Sequence, residues 1–419
     1  MTNKSKHMRA LNLLAIIAII SSASFSAIGQ SVTPYSKYGY GLLNDNATSM
    51  QRSMGGIGYA MSGGRQINVM NPASYASIDS LTFLWDVGLS MTNLWAKEGD
   101  LSGKSFGGGL DYITMQFPIG KYLGGSFGLV PFSSVGYSFG DEVVNGSSAQ
   151  VGSGGLNQLY AGLSGRIFKG FTIGANISYL FGTTINDAYA YSNTGSETLF
   201  ERVMKVRDWN LNIGLQYTVN FDKKNKATIG LVYTPGKTLR GNTMGVKYEI
   251  NSDIKPDTVA EMSLKGNYSL PHSFGGGVSY THDNRIMVEA DFTYQNWSKA
   301  KFTPLKDFDQ STELTNRWKV ALGGQYIHNP RGNYLQRINF RLGGYYNRDY
   351  ILIGTNNVKE YGISLGFGLP TPSDKTMINI GFEYKHRDTY PVSLITENYF
   401  NITIGVNFNE LWFWQNKIR

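Results

Sequence analysis

The chain has 419 residues, with 50 glycines, 27 Tyr, 22 Phe and 7 Trp, no cysteine, and a formal charge of +8. Only 16% of residues are charged, against roughly 25% in ordinary soluble domains, while the mean hydropathy is only -0.24. Together these exclude a helical membrane bundle, which needs runs of about 20 apolar residues, a disordered chain, and any chemistry or lipid attachment that uses a thiol.

Lys4, Lys6 and Arg9 precede an apolar run from Ala10 to Ile20, and small and polar residues then lead to Ala27-Ile28-Gly29. This is the pattern of a secretory signal over residues 1–29, with cleavage before Gln30. A membrane anchor is the alternative, but the run is too short to span. The three basic residues leave with the signal and reduce the surplus to +5, and with no Lys/Arg cluster this charge points to no nucleic acid. Residues 30–80 are rich in Gly, Ser, Asn and Met and carry no strand pattern. Their Tyr35, Tyr38, Tyr40, Leu42, Leu43, Ile57, Tyr59 and Met61 need burial, which favours an internal segment over a free periplasmic tail.

From Leu81 onward, apolar residues alternate with polar or small ones, the period of strands with one apolar face. Leu81, Phe83, Trp85, Val87, Leu89 and Met91 share one parity in the first strand; Phe400, Ile402, Ile404, Val406 and Phe408 do so in the last. Fourteen strands are predicted, at 81–91, 109–119, 123–139, 155–167, 171–184, 200–221, 226–234, 271–281, 285–297, 316–328, 335–347, 358–368, 376–387 and 397–408. Connections alternate in length: 92–108, 140–154, 185–199 and 235–270 read as long loops, and 120–122, 168–170, 222–225 and 282–284 as short turns. Short periplasmic turns and long external loops are the asymmetry of an outer-membrane barrel. A soluble sandwich or propeller would also alternate, but leaves that asymmetry unexplained. The fold class is therefore all-β, a transmembrane antiparallel up-and-down β-barrel of about 14 strands over 81–408, in the cell outer membrane. Such a barrel closes at a radius of roughly 14 Å, too wide for wall side chains to fill, so residues 30–80 are expected to form a plug, or hatch, inside the lumen. Residues 409–419 form an extension in which Trp412, Phe413 and Trp414 are adjacent, suited to the periplasmic membrane interface or to a partner protein.

Ser53-Met54-Gly55-Gly56-Ile57-Gly58 followed by Asn71-Pro72-Ala73, with Leu270-Pro271, Gly276, Val278, Tyr280 and Trp297-Ser298 further on, resembles the FadL/TodX family of outer-membrane transporters for long-chain fatty acids and other hydrophobic compounds. Pro34-Tyr35-Ser36-Lys37-Tyr38-Gly39 is similar to a divergent, Bacteroidota-type branch. The resemblance implies passive uptake of a hydrophobic small molecule, with lateral release into outer-membrane lipid through a kinked third strand. Pro131 lies in that predicted strand and has no N–H to give to the ladder. With Gly124, Gly125 and Gly128 it marks a lateral gate or, alternatively, simply lies near the strand's end. In Asn71-Pro72-Ala73 the Asn can turn back onto the backbone and the Pro fixes φ, so the motif is read as a rigid corner of the plug rather than a ligand contact. The rival reading is a barrel of the same build that transports nothing and serves as a subunit of an outer-membrane secretion or assembly complex, with other outer-membrane proteins as partners. No enzyme, cofactor or metal is expected: His7 leaves with the signal, His282 falls in a turn, and His272, His328 and His386 fall at strand ends without ligand spacing.

Overall fold

The computed structural model describes residues 33–143, 146–193, 197–250, 257–265, 268–303, 313–371 and 376–411. The signal and Trp412, Phe413 and Trp414 lie outside the described residues. Fourteen strands close an antiparallel barrel. They are β1 Thr82–Glu98, β2 Leu101–Pro118, β3 Leu123–Val143, β4 Gly146–Phe168, β5 Phe171–Ser192, β6 Glu197–Asn220 and β7 Asn225–Thr234, followed by β8 Ser273–His282, β9 Ile286–Gln295, β10 Arg317–Ile327, β11 Asn339–Ile353, β12 Asn356–Pro370, β13 Thr376–Tyr390 and β14 Thr396–Leu411. Each pairs with its neighbour in sequence, and β1 pairs with β14 (Val87 opposite Val406), so the barrel leaves no edge at the seam.

Alternation assigns the two faces as predicted. Ile173, Ile177, Trp209, Leu211, Val288 and Phe292 are exposed on the outside, where lipid replaces water. Their polar neighbours Thr172, Asn176, Ser178, Glu289 and Asp291 are buried inside. That inversion of the soluble pattern is the reason the mean hydropathy stays negative.

The connections differ from expectation. Residues 92–108, 140–154 and 185–199 are not long loops: β1 to β6 run on past the apolar stretch, to lengths of 17 to 24 residues, and turn within a few residues. The segment 235–270 is likewise folded, for Gly241–Ile250 and Asp257–Lys265 form a hairpin added to the outer half of β6, with Met244 opposite Val203. Beyond the membrane both faces of a ribbon can meet water, so the apolar period fades while the backbone ladder continues.

Residues 33–80 run against inward side chains of several strands: Thr33 bonds Glu397 of β14, Gly58 bonds Asp291 of β9, and Asn71 bonds Leu215 O of β6. The segment contains a 3-10 turn Pro34–Lys37, a helical turn Ser49–Arg52 and a second 3-10 turn Pro72–Ser77. Thr33 caps the first, Thr48 and Gln51 form a capping box on the second, and the Asn71 side chain accepts from Ala73 N at 3.0 Å on the third.

Candidate functional site

The lumen is the site, and its geometry begins with glycine. Inward positions on successive strands are glycines against which the backbone of the inner segment lies directly. A Cβ on Gly124 would stand 2.0 Å from Tyr75 O, on Gly174 2.4 Å from Pro72 O, on Gly230 1.8 Å from Tyr59 O, and on Gly323 2.1 Å from Met54 O. Several of these glycines face one another across the ladder, as Gly174 with Gly214 and Gly323 with Gly343. The result is a belt of bare backbone at the level where the inner segment touches the wall.

Polar groups complete the docking. Asp291 accepts from Gly58 N at 2.7 Å and Tyr59 N at 3.0 Å, and Glu289 accepts from Ala60 N at 2.9 Å. Two wall carboxylates thus satisfy three consecutive amides that have no helix or sheet partner. Asn71 is fully buried and donates to Tyr59 O at 2.7 Å and to Leu215 O of β6 at 3.1 Å. Ala73 O accepts from Ser164 at 2.9 Å. The Asn71-Pro72-Ala73 corner is therefore stitched to the wall, and Gly214 has to be bare because Asn71 Oδ1 sits 2.1 Å from where its Cβ would be.

Above this belt lies a chamber of about 200 Å³ lined by five carboxylates, Asp45, Asp111, Asp349, Glu360 and Glu383, and five cations, Arg52, Arg317, Lys319, Lys385 and Arg387. Asp45 bridges Arg317 and Lys319 of β10, each at 2.7 Å. Burial acts to raise the Asp45 pKa, but the two cations outweigh it and hold the carboxyl well below the usual range. Arg52 meets Asp111 at 2.7 Å, and Glu360 takes Arg387 at 2.5 Å and Lys385 at 3.6 Å. Such a chamber suits water and charge, not an alkyl chain.

The outer mouth is capped. Tyr40 is fully buried, with its ring 5.6 Å from Trp297 and 5.4 Å from Phe302, and Trp297 packs 4.6 Å from Tyr350. Tyr350 Oη receives Tyr40 N at 2.9 Å and donates to Gly41 O at 2.6 Å, while Tyr35 Oη donates to Ile395 O. The start of the inner segment is thereby part of the external lid.

The wall is interrupted once near the chamber. The ladder between β2 and β3 runs only from Pro118–Gly124 to Ile113–Leu129, and the β3–β4 register shifts between Pro131 and Ser133. Past that point the β2 side of β3 is taken by the inner segment, with Leu42 opposite Ser134 and Leu43 opposite Ser133, and Thr33 N donates to Gly136 O at 2.6 Å. Gly41, at φ +87° and with Ser134 O 2.3 Å from where its Cβ would be, admits no side chain there. Pro131 lines the chamber at this interruption. The glycines grouped with it serve different contacts: Gly124 abuts Tyr75 of the inner segment, Gly125 lies beside Phe117 and Ile119, and Gly128 lies against Ile113 O of β2.

The paired charges form no motif, because the two members of each pair lie on different strands or on a strand and the inner segment. Their signal was nonetheless present: a charged residue on the polar parity of a strand, such as Glu289 and Asp291 between Val288, Ala290 and Phe292, points into the lumen and needs a partner there.

The fold is that of solved outer-membrane channels. A Pseudomonas aeruginosa FadL homologue superposes with a TM-score of 0.64 at 14% identity, covering 88% of this chain and 99% of that one. The CymD monoaromatic hydrocarbon channel gives 0.60 at 14% over 88% and 99%, and the Ralstonia pickettii toluene transporter TbuX gives 0.59 at 14% over 87% and 98%. At such identity the likeness is one of fold. No curated protein sequence matches the chain. The BamG family model matches residues 8–419, nearly the whole length, and the chain belongs to the BamG family.

Proposed function

We propose that the chain, exported by a cleaved signal, is a plugged outer-membrane barrel that acts as a non-enzymatic structural and partner-binding subunit of an outer-membrane complex. The observation that carries this reading is the occupied lumen. The inner segment lies on a glycine belt, is tied to wall carboxylates, and joins the aromatic external lid, while the chamber it leaves is lined by paired charges. A hydrophobic solute would have to desolvate those ion pairs to pass. Membership of the BamG family points the same way. Trp412, Phe413 and Trp414, which follow β14 in sequence, would supply part of the contact with other outer-membrane proteins.

The test is purification from native outer membranes in mild detergent followed by native mass spectrometry. A stoichiometric protein partner is expected; co-purifying acyl ligands with no partner would refute the proposal.

A second reading, passive uptake of hydrophobic compounds such as long-chain fatty acids, has one observation in its favour. The interruption between β2 and β3 at Pro131 abuts the chamber, as a lateral exit would, and it is closed by the inner segment, through the Leu42–Leu43 pairing and the flanking bonds of Asn44 N to Phe132 O and Thr33 N to Gly136 O. The chain has no native cysteine, and opposed antiparallel residues stand about 4.5–5.5 Å apart at Cα, within disulfide reach. A Leu43→Cys/Ser133→Cys pair is therefore expected to cross-link cleanly. Locked in this way, the subunit should still assemble with its partner at the parental level; a transporter would instead lose flux on oxidation and regain it on reduction.

A further inference from the structure

At the short-turn end, which faces the periplasm in outer-membrane barrels, a cavity of about 260 Å³ opens between the inner segment and the ends of β10 to β14. Behind its wall lies Arg341 of β11, only 1% exposed. Its Nε donates to Gln325 Oε1 at 2.8 Å and its Nη1 to Asn379 Oδ1 at 2.7 Å. Its Nη2 has no acceptor, and among the described residues no carboxylate lies within ion-pair distance of it. A buried guanidinium in this state has only neutral amides at contact range, and its charge is balanced in part, at longer range, by Asp86.

The chemistry of the two amides follows from that of the arginine. A guanidinium only donates, so Gln325 and Asn379 must both turn their oxygens towards it. Both residues line the cavity, and their NH2 groups are left as donors to it. Gly368 keeps the guanidinium free of crowding, since a Cβ there would be 2.7 Å from Arg341 Nη2. The rim adds Arg65, which pairs with Asp79 at 3.4 Å, and Arg337. The lining acid, Asp86, is engaged by Tyr112 Oη at 3.0 Å and Asn407 Nδ2 at 3.5 Å. Two carboxamide donors backed by a buried cation form an anion cradle.

The rest of the lining narrows the anion. Met50, Ile67 and Met377 provide an apolar patch beside the cradle, while Gln66, Asn339 and Asn409 provide amide groups. We propose that this pocket binds the free carboxylate end of an extended peptide presented from the periplasm. The terminal carboxylate takes the Gln325 and Asn379 donors, its side chain the methionine and isoleucine surface, and the preceding peptide bonds the amide-bearing walls. A fatty acid offers the same carboxylate, but its chain would strip water from those amides without replacing the hydrogen bonds.

The test uses the full chain in detergent and a fluorescein-labelled hexapeptide ending in a free leucine carboxylate, read by fluorescence polarisation. Amidation of that carboxylate is expected to weaken binding about tenfold or more, the worth of a hydrogen-bonded charge. Gln325→Glu keeps an oxygen on Arg341 and replaces the donor by a second carboxylate oxygen. It should abolish binding while the barrel still runs as the compact form on an unheated gel, and Arg341→Met is the companion variant. Equal binding of the amidated peptide, retained binding by Gln325→Glu, or no binding of the peptide at all would overturn the proposal. Binding of decanoate in preference to the peptide would assign the pocket to fatty acids and equally overturn it. The measurement is made on the isolated protein, so it stands or falls independently of whether a partner co-purifies.

Discussion

Replacing Arg387 by methionine is expected to destabilise the barrel by about 3–5 kcal/mol, the cost of stranding buried carboxylates without their cation. Arg387 of β13 is 4% exposed and joins three strands: it meets Glu360 of β12, lies 3.7 Å from Glu397 of β14, and donates to Tyr399 at 3.2 Å. Glu397, fully buried, in turn receives the Thr33 hydroxyl at 2.6 Å, so the same cation secures the start of the inner segment. Without it Glu360 retains Lys385 at 3.6 Å and the Tyr345 hydroxyl at 3.0 Å, and the contacts left to Glu397 are the hydroxyls of Thr33 and Tyr399. The measurement is the temperature at which the compact form on a semi-native gel is lost. Adding Glu397→Gln should recover part of the loss, because it removes the stranded charge. A single variant as stable as the parent would show that the network contributes no stability.

Gly230→Val should have an effect of similar size by a different route. The new Cβ would fall 1.8 Å from Tyr59 O and 2.4 Å from Tyr59 C, and these are backbone atoms that no rotamer change can move aside. Overpacking of this kind costs about 3 kcal/mol or more where neighbours cannot relax. Relief requires the inner segment to leave its place, breaking the amide contacts to Asp291 and Glu289. The expected result is a barrel that still inserts in planar bilayers but conducts steadily where the parent is closed. Gly276→Val is the control: its Cβ would meet only Leu231 Cδ2 at 3.4 Å, with Gly230 O at 3.9 Å, and it should behave as the parent. Conductance of both variants, or of neither, would contradict a plug held by the glycine belt.

The two variants mark the boundary of what could be read without coordinates. Parity alone puts Gly230 on the inner face, between outward Ile229 and Leu231, and Gly276 on the outer face with Phe274 and Val278; that the backbone of Tyr59 lies directly on Gly230 was not legible. The division of residues between wall faces was legible, because a strand in lipid must turn every second side chain outward. The lengths of the external connections were misread for the same reason: once both faces are polar, a paired strand and a loop carry the same composition, and only the ladder distinguishes them. Pro131 was legible as a fault in β3, because it lacks an N–H. That the inner segment occupies the vacated edge through Leu42 and Leu43 was not, since two residues carry no period.

By itself the sequence determined an antiparallel barrel of fourteen strands, its lipid-facing side and a segment too apolar to lie free, since each of these follows from a local repeat or from composition. Only the tertiary structure decided what fills the lumen and how. Asp45 meets Arg317 across 272 residues of chain, and Arg341 takes its amide partners from two different strands. Such pairings depend on the stagger of one strand against the next as the barrel closes, a quantity no single strand encodes.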